Sequence, residues 1–237
     1  MIGSFVSPAL RARVRGLALP VALAFGRLGL TPNALTVLGF GISVLAAFAA
    51  TQQSWLAAGV LVIFGGVFDL FDGALARATE RVSRLGAFLD SVFDRAGEAV
   101  IYLGIIAASQ AAGFTAGTIL GGAAMAASFM VSYARAKSES LGFTPGTTMA
   151  AVGVAPREVR LVILTLGLLL TGTFGGIVRP VTVYGAVDYW WAGRPALAVS
   201  LALITILATI TTIQRIVHVT RQAPPEETST PGGDQQP

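Results

Sequence analysis

Apolar residues gather in six blocks along this chain, at residues 33–50, 56–76, 86–111, 115–136, 158–173 and 193–217. Each is close to the ~20 residues that an α-helix needs to cross the hydrocarbon core of a bilayer. Ahead of them Leu10, Val14, Leu17, Val21, Phe25 and Leu28 recur at steps of three or four, flanked by Arg11, Arg13, Arg15 and Arg27. That pattern predicts an amphipathic helix lying in the membrane interface and kinked at Pro20. A secretory signal competes for residues 1–30, with Ala22-Leu23-Ala24 resembling a cleavage site. Against it, Pro20 interrupts the apolar run and Arg27 follows at once.

Thr31-Pro32-Asn33 reads as a helix start, with Thr31 as the cap and Pro32 in the first turn, where its missing N–H costs nothing. From Ala223 onward the chain runs APPEETSTPGGDQQP, without an apolar face. Such a stretch is expected to be disordered. The expected architecture is all-α and polytopic: an interfacial helix in residues 1–30, six transmembrane helices in residues 31–220, and a free tail in residues 221–237.

Composition supports a membrane setting. Of 237 residues, 54% are hydrophobic and 12% charged, and the mean hydropathy is +0.74. There is no cysteine, which excludes disulfides and thiol catalysis, and the single His218 argues against a histidine-centred metal site. The net charge of +4 does not indicate nucleic-acid binding, because the basic residues do not alternate with aromatics on a polar face. With a cytoplasmic N-terminus, all 16 Lys and Arg residues except Arg179 and Arg194 fall on the cytoplasmic side or in that half of a span. Both termini are therefore expected on the cytoplasmic side of a cell membrane. Residues 174–191 would form the longest outer connection, with Tyr184, Tyr189, Trp190 and Trp191 as an interfacial belt.

The candidate chemistry lies in the second and third blocks. Four of the chain's twelve acids, Asp69, Asp72, Asp90 and Asp94, occur there. A carboxylate within a span costs about 3 kcal/mol on insertion scales unless it is paired, hydrated or metal-bound. Asp69 and Asp72 are three residues apart and Asp90 and Asp94 four, so each pair shares a helix face. The polar turn 79–84 makes the two blocks an antiparallel hairpin. Counted from its midpoint, the four acids reach nearly the same depth. Divalent cations would relieve their mutual repulsion, and an all-oxygen site suits Mg²⁺, Mn²⁺ or Ca²⁺. Solvated acids near helix ends, or pairs with Arg77, Arg84 and Arg95, are the plainer alternative.

The run Asp69-Leu70-Phe71-Asp72-Gly73-Ala74-Leu75-Ala76-Arg77, then eight residues to Gly86, three to Asp90 and three to Asp94, resembles the signature of the CDP-alcohol phosphotransferases. The resemblance extends over roughly residues 8–220. It implies a six-helix membrane enzyme, commonly a homodimer, whose active site opens to the cytoplasm. By similarity Asp69, Asp72, Asp90 and Asp94 would hold two Mg²⁺ or Mn²⁺ ions, and Asp94 would also deprotonate the acceptor hydroxyl. Gly73, Arg77 and Ser83, with the turn Thr31, Pro32, Asn33 and Ala34, match positions that contact the CDP-linked donor.

Within that family, the stretches around Arg135-Ala136-Lys137, Pro156-Arg157-Glu158-Val159-Arg160 and Gln214-Arg215 are similar to the phosphatidylinositol phosphate and archaetidylinositol phosphate synthase branch. Arg135, Lys137, Arg157, Arg160 and Arg215 would then bind the phosphate of an inositol phosphate acceptor. The donor would be CDP-diacylglycerol or a related CDP-lipid, and CMP the leaving group. Glycerol 3-phosphate, serine or free inositol are alternative acceptors. A cation or proton transporter using intramembrane carboxylates is the rival from another class, though no inverted repeat supports it.

Overall fold

A computed structural model describes residues 8–143, 149, 152–177, 181–183, 186–188 and 193–222. Among these residues seven helices follow one another: α1 (Pro8–Arg27), α2 (Pro32–Thr51), α3 (Trp55–Ala78), α4 (Arg84–Ala111), α5 (Thr115–Ser140), α6 (Arg157–Thr173) and α7 (Gly193–Thr220). Every apolar block corresponds to a helix. The fold is all-α as expected, and among the described residues Val181–Val183 and Ala186–Asp188, between α6 and α7, pair as a small antiparallel ribbon. The tail from Ala223, Arg179, and the aromatic residues Tyr184, Tyr189, Trp190 and Trp191 lie outside the described residues.

Four helices, α2, α3, α5 and α7, are long and apolar enough to cross a membrane. The remaining two blocks fall short for different reasons. Helix α4 has 28 residues but carries Arg84, Asp90, Asp94, Arg95 and Glu98. Helix α6 has 17 residues and spends its first turn on Arg157, Glu158 and Arg160.

The α1 helix forms where expected and runs through Pro20. Its docked face combines small residues with one member of the stripe of large ones. Ala18 and Ala22 are buried, and Phe25 packs on Phe68 and Phe71 of α3 with ring centroids 5.8 and 5.7 Å away. Leu17 and Leu28 remain 76% and 78% exposed. Small side chains let α1 approach α3 closely and leave Leu17 and Leu28 facing outward.

Helices α2, α3 and α4 meet along a seam of small residues. Gly39, Ser43 and Ala47 of α2 recur at steps of four, and each touches a glycine or its neighbourhood on α3 or α4. A Cβ on Gly104 would stand 2.5 Å from the Ala47 carbonyl oxygen, and one on Gly97 3.0 Å from Ser43 Oγ. Close approach of this kind is how helices gain contact where burial alone offers little.

The main apolar core lies toward the end of the bundle that holds the α2–α3 and α4–α5 turns. Ala46, Ala50, Trp55, Ile105, Leu168 and Leu197 are buried there. Arg194, at the start of α7, donates to the carbonyls of Ile177 and Ala112 at 3.3 and 3.1 Å and lies over the Phe114 ring. The opposite end carries the aspartates.

Candidate active site at the aspartate end

Two capped helix starts frame this end. Thr31 accepts a hydrogen bond from the Ala34 amide at 3.2 Å, and Ser83 accepts one from Gly86 at 2.9 Å. The two starts abut, because a Cβ on Gly86 would lie 3.2 Å from Asn33 Oδ1. The expected donor-contact residues Thr31, Pro32, Asn33 and Ala34 therefore stand beside Ser83. Arg77 folds back over Gly73, its Nη1 being 3.2 Å from where a Cβ there would sit. Any larger residue at position 73 would displace that guanidinium.

The hairpin of α3 and α4 brings the acids together as the spacing predicts. Asp69, Asp72 and Asp90 lie within charge–charge range of one another, and Asp94 within range of Asp69 and Asp90. Asp72 is buried and accepts a 2.7 Å hydrogen bond from Thr36 Oγ1 of α2. Asp94 binds Arg95 Nη1 at 3.2 Å through Oδ2.

One cation already bridges two of the acids. Arg157, the first residue of α6, places Nη2 2.8 Å from Asp69 Oδ2 and Nη1 2.9 Å from Asp94 Oδ1. Sequence similarity casts it as a phosphate ligand, and the structure sets it among the carboxylates instead. As the side chains stand, no three His, Cys, Asp or Glu among the described residues form a group that would hold a metal ion. The donor set nevertheless fits one. It is all oxygen, it is anionic, and its Asp69–Asp94 pair closes on a positive charge. Asp69, Asp72, Asp90 and Asp94 are the residues that would hold a hard divalent ion.

The other expected phosphate ligands separate into two groups. Arg135 and Lys137, near the end of α5, are accessible, Arg135 forming an exposed pair with Glu139 at 2.9 Å. Arg160 and Arg215 are buried. Arg160, 1% exposed, grips Glu98 through Nε and Nη2 at 3.0 and 2.9 Å and donates from Nη1 to the Ala155 carbonyl at 3.2 Å. Arg215 donates from Nε to the Val152 carbonyl at 3.0 Å and from Nη1 to that of Val131. The Ala155 amide donates to Thr211 Oγ1 at 2.9 Å. Together these bonds pin residues 152–156, the segment that delivers Arg157 to the aspartates.

Basic residues at a helix N-terminus oppose the helix dipole. Glu158 in the same turn and the acids of α3 and α4 facing Arg157 and Arg160 offset that cost.

Sequence reasoning missed Glu98, Thr36 and Thr211. Glu98 was signalled: it continues the four-residue row Asp90, Asp94 along α4. Thr36 and Thr211 act across helices far apart in sequence, and no local spacing marks them.

Comparison with known proteins agrees with the geometry. The chain is 34% identical over 196 residues to archaetidylinositol phosphate synthase of Pyrococcus horikoshii, covering 82% of this chain and 86% of that protein. It is 34% identical to phosphatidylinositol phosphate synthase of Cutibacterium acnes, covering 85% and 91%. Among solved structures, phosphatidylinositol phosphate synthase of Mycobacterium tuberculosis with CDP-DAG bound matches at a TM-score of 0.67 and 27% identity, over 85% of this chain and 92% of that one. The same enzyme in complex with manganese and citrate gives a TM-score of 0.68, over 86% and 88%. Residues 29–223 match the family model for CDP-alcohol phosphatidyltransferase, and with the aspartate hairpin inside that span the chain belongs to this family of membrane transferases.

Proposed function

We propose that this protein transfers the phosphatidyl group of CDP-diacylglycerol, or a related CDP-lipid, to a hydroxyl of inositol phosphate, with release of CMP. The observation that carries it is the position of Arg157. A side chain suited to bidentate phosphate binding stands at the carboxylates where the reacting hydroxyl must lose its proton. A neutral alcohol would have no use for it. The names of the relatives, synthases of inositol phosphate lipids, support the same acceptor.

In the proposed reaction the acceptor oxygen bonds to the lipid-side phosphorus, the bond from that phosphorus to the CMP oxygen breaks, and Asp94 takes the hydroxyl proton. Divalent ions, bound by Asp69, Asp72, Asp90 and Asp94, would supply charge neutralisation at the donor phosphates and the departing CMP. The capped turn at Thr31–Ala34, with Ser83, Gly73 and Arg77, orients the CDP moiety. Arg135 and Lys137 attract the acceptor to that end of the bundle. Arg160 and Arg215 act indirectly, by fixing residues 152–156.

Glycerol 3-phosphate is the second reading, since it presents the same phosphomonoester. Membership in a transferase family disfavours the transporter. The deciding assay is CMP release by purified protein with CDP-diacylglycerol and a panel of acceptors. Turnover with inositol phosphate is expected. Turnover with free inositol or serine, and none with either phosphorylated alcohol, would end the proposal.

Six membrane crossings with both termini and the aspartate end in the cytoplasm follow from the distribution of basic residues. A Ser83→Cys variant is expected to resist an impermeant thiol reagent applied outside, while Phe174→Cys, at an exposed position of the opposite end, reacts. The reverse labelling would place the aspartates on the side without cytoplasmic nucleotide.

A further inference from the structure

Arg157 and Arg160 begin the same helical turn and are held in opposite ways. Arg160 is enclosed, with two nitrogens on Glu98 and a third on a backbone carbonyl. The Arg157 side chain is 25% exposed, its Nη atoms are held by Asp69 and Asp94, and its buried Nε has no partner. Its anchorage therefore rests on two carboxylates, and the helix N-terminus beneath it favours its departure. Both carboxylates belong to the set that fits a divalent ion. A guanidinium spreads one charge over a planar fork, whereas a divalent ion brings two charges to about 2.1 Å from each oxygen. The stronger field takes the oxygens.

We infer that Arg157 is an internal counter-cation, which competes with the divalent ion for Asp69 and Asp94 and turns to the acceptor phosphate once the ion displaces it. The second half rests on the phosphorylated acceptor proposed above. Metal and acceptor then bind with positive coupling, since each removes Arg157 from the position that opposes the other. By linkage the coupling is equal in both directions. An unloaded enzyme would bind acceptor weakly, and the order of binding would be written into one side chain. Arg95 stays on the other oxygen of Asp94 and on the Ser91 carbonyl, so Asp94 keeps a cationic neighbour during the exchange.

Mn²⁺ titration of the full-length protein in lipid nanodiscs, followed by the electron paramagnetic resonance signal of free Mn²⁺ and without any CDP-lipid, tests this directly. Arg157→Ala is expected to bind Mn²⁺ about tenfold more tightly than the parent, the size of one lost charge-assisted contact. Arg157→Lys separates contact from bulk charge. Lysine keeps the charge and cannot fork across both carboxylates, so it too should tighten binding if the fork is the competitor. Inorganic phosphate, measured against a protein-free blank, is expected to raise Mn²⁺ affinity in the parent and not in Arg157→Ala. Unchanged or weaker Mn²⁺ binding in both variants overturns the inference, as does an equal phosphate effect in the parent and Arg157→Ala. No turnover enters these measurements. Failure of the acceptor assay would remove the proposed function and leave the competition for Mn²⁺ standing or falling on its own.

Discussion

Around Trp55, Ile105, Leu168 and Leu197 the helices meet through apolar side chains, with Arg194 bound to backbone carbonyls at the margin. At the other end, beside a smaller apolar cluster around Leu35, Phe68 and Leu75, they meet through Thr36–Asp72, Arg157–Asp69, Arg157–Asp94 and Glu98–Arg160. Packing at the first end is a sum of many small contacts, each worth little alone. At the second, a few strong bonds each hold a charge that would be costly without its partner. The apolar end can lose a methyl group and settle. The aspartate end cannot lose a partner without exposing a charge to a medium that does not solvate it.

That contrast predicts a ranking. Asp90→Asn should have the largest effect on turnover and the smallest on stability. Activity is expected to fall by more than the roughly 10–100-fold that follows loss of a residue merely supporting a metal ligand. The protein should still insert and melt near the parent temperature, because the substitution also relieves repulsion among neighbouring acids. Near-normal turnover would break the comparison at its centre.

The next step down sets Glu98→Gln against Leu168→Ala. Glu98→Gln leaves Arg160 with its charge unbalanced and is expected to cost about 3–5 kcal/mol. It should also raise the acceptor KM, since Arg157 rides on the same turn, while the KM for CDP-lipid holds. Leu168→Ala should cost about 2–5 kcal/mol by leaving a cavity, with both KM values unchanged. Thermal unfolding in one detergent, with the two KM values, separates them. An acceptor KM that shifts for Leu168→Ala and not for Glu98→Gln would show that the two ends do not divide the work in this way.

Six apolar blocks announced α2 to α7, and the acids within two of them marked the hairpin. The i,i+3 and i,i+4 spacing placed each pair on one face, and the short turn at residues 79–84 brought the faces level. What the chain did not announce depends on partners distant in sequence. Arg160 and Arg215 read as phosphate ligands because they share an end of the bundle with Arg157. Only the packing of α4, α5 and α7 shows that their nitrogens already serve Glu98 and backbone carbonyls. The stripe on α1 divides for a related reason, Phe25 docking on α3 while Leu17 and Leu28 face outward. Large apolar residues seek either protein or lipid, and in a membrane their periodicity does not say which. The pairing of residues 181–183 with 186–188 was hidden within an irregular connection.

The glycine seam joining α2 to α3 and α4 bears on how such an enzyme can diversify. With a Cβ at Gly104 excluded by the Ala47 backbone and one at Gly97 crowding Ser43, the three helices carrying the aspartates and the Thr31 turn have little freedom to drift. Residues 152–157 are restricted in this way at one point, Gly153, whose positive φ and contact with Thr211 leave no room for a Cβ, and they are otherwise tied down by side-chain bonds from Arg160, Thr211 and Arg215. A lineage built this way can try new acceptors by rewriting one short segment and its ties, generation after generation, while the transfer chemistry is inherited unchanged.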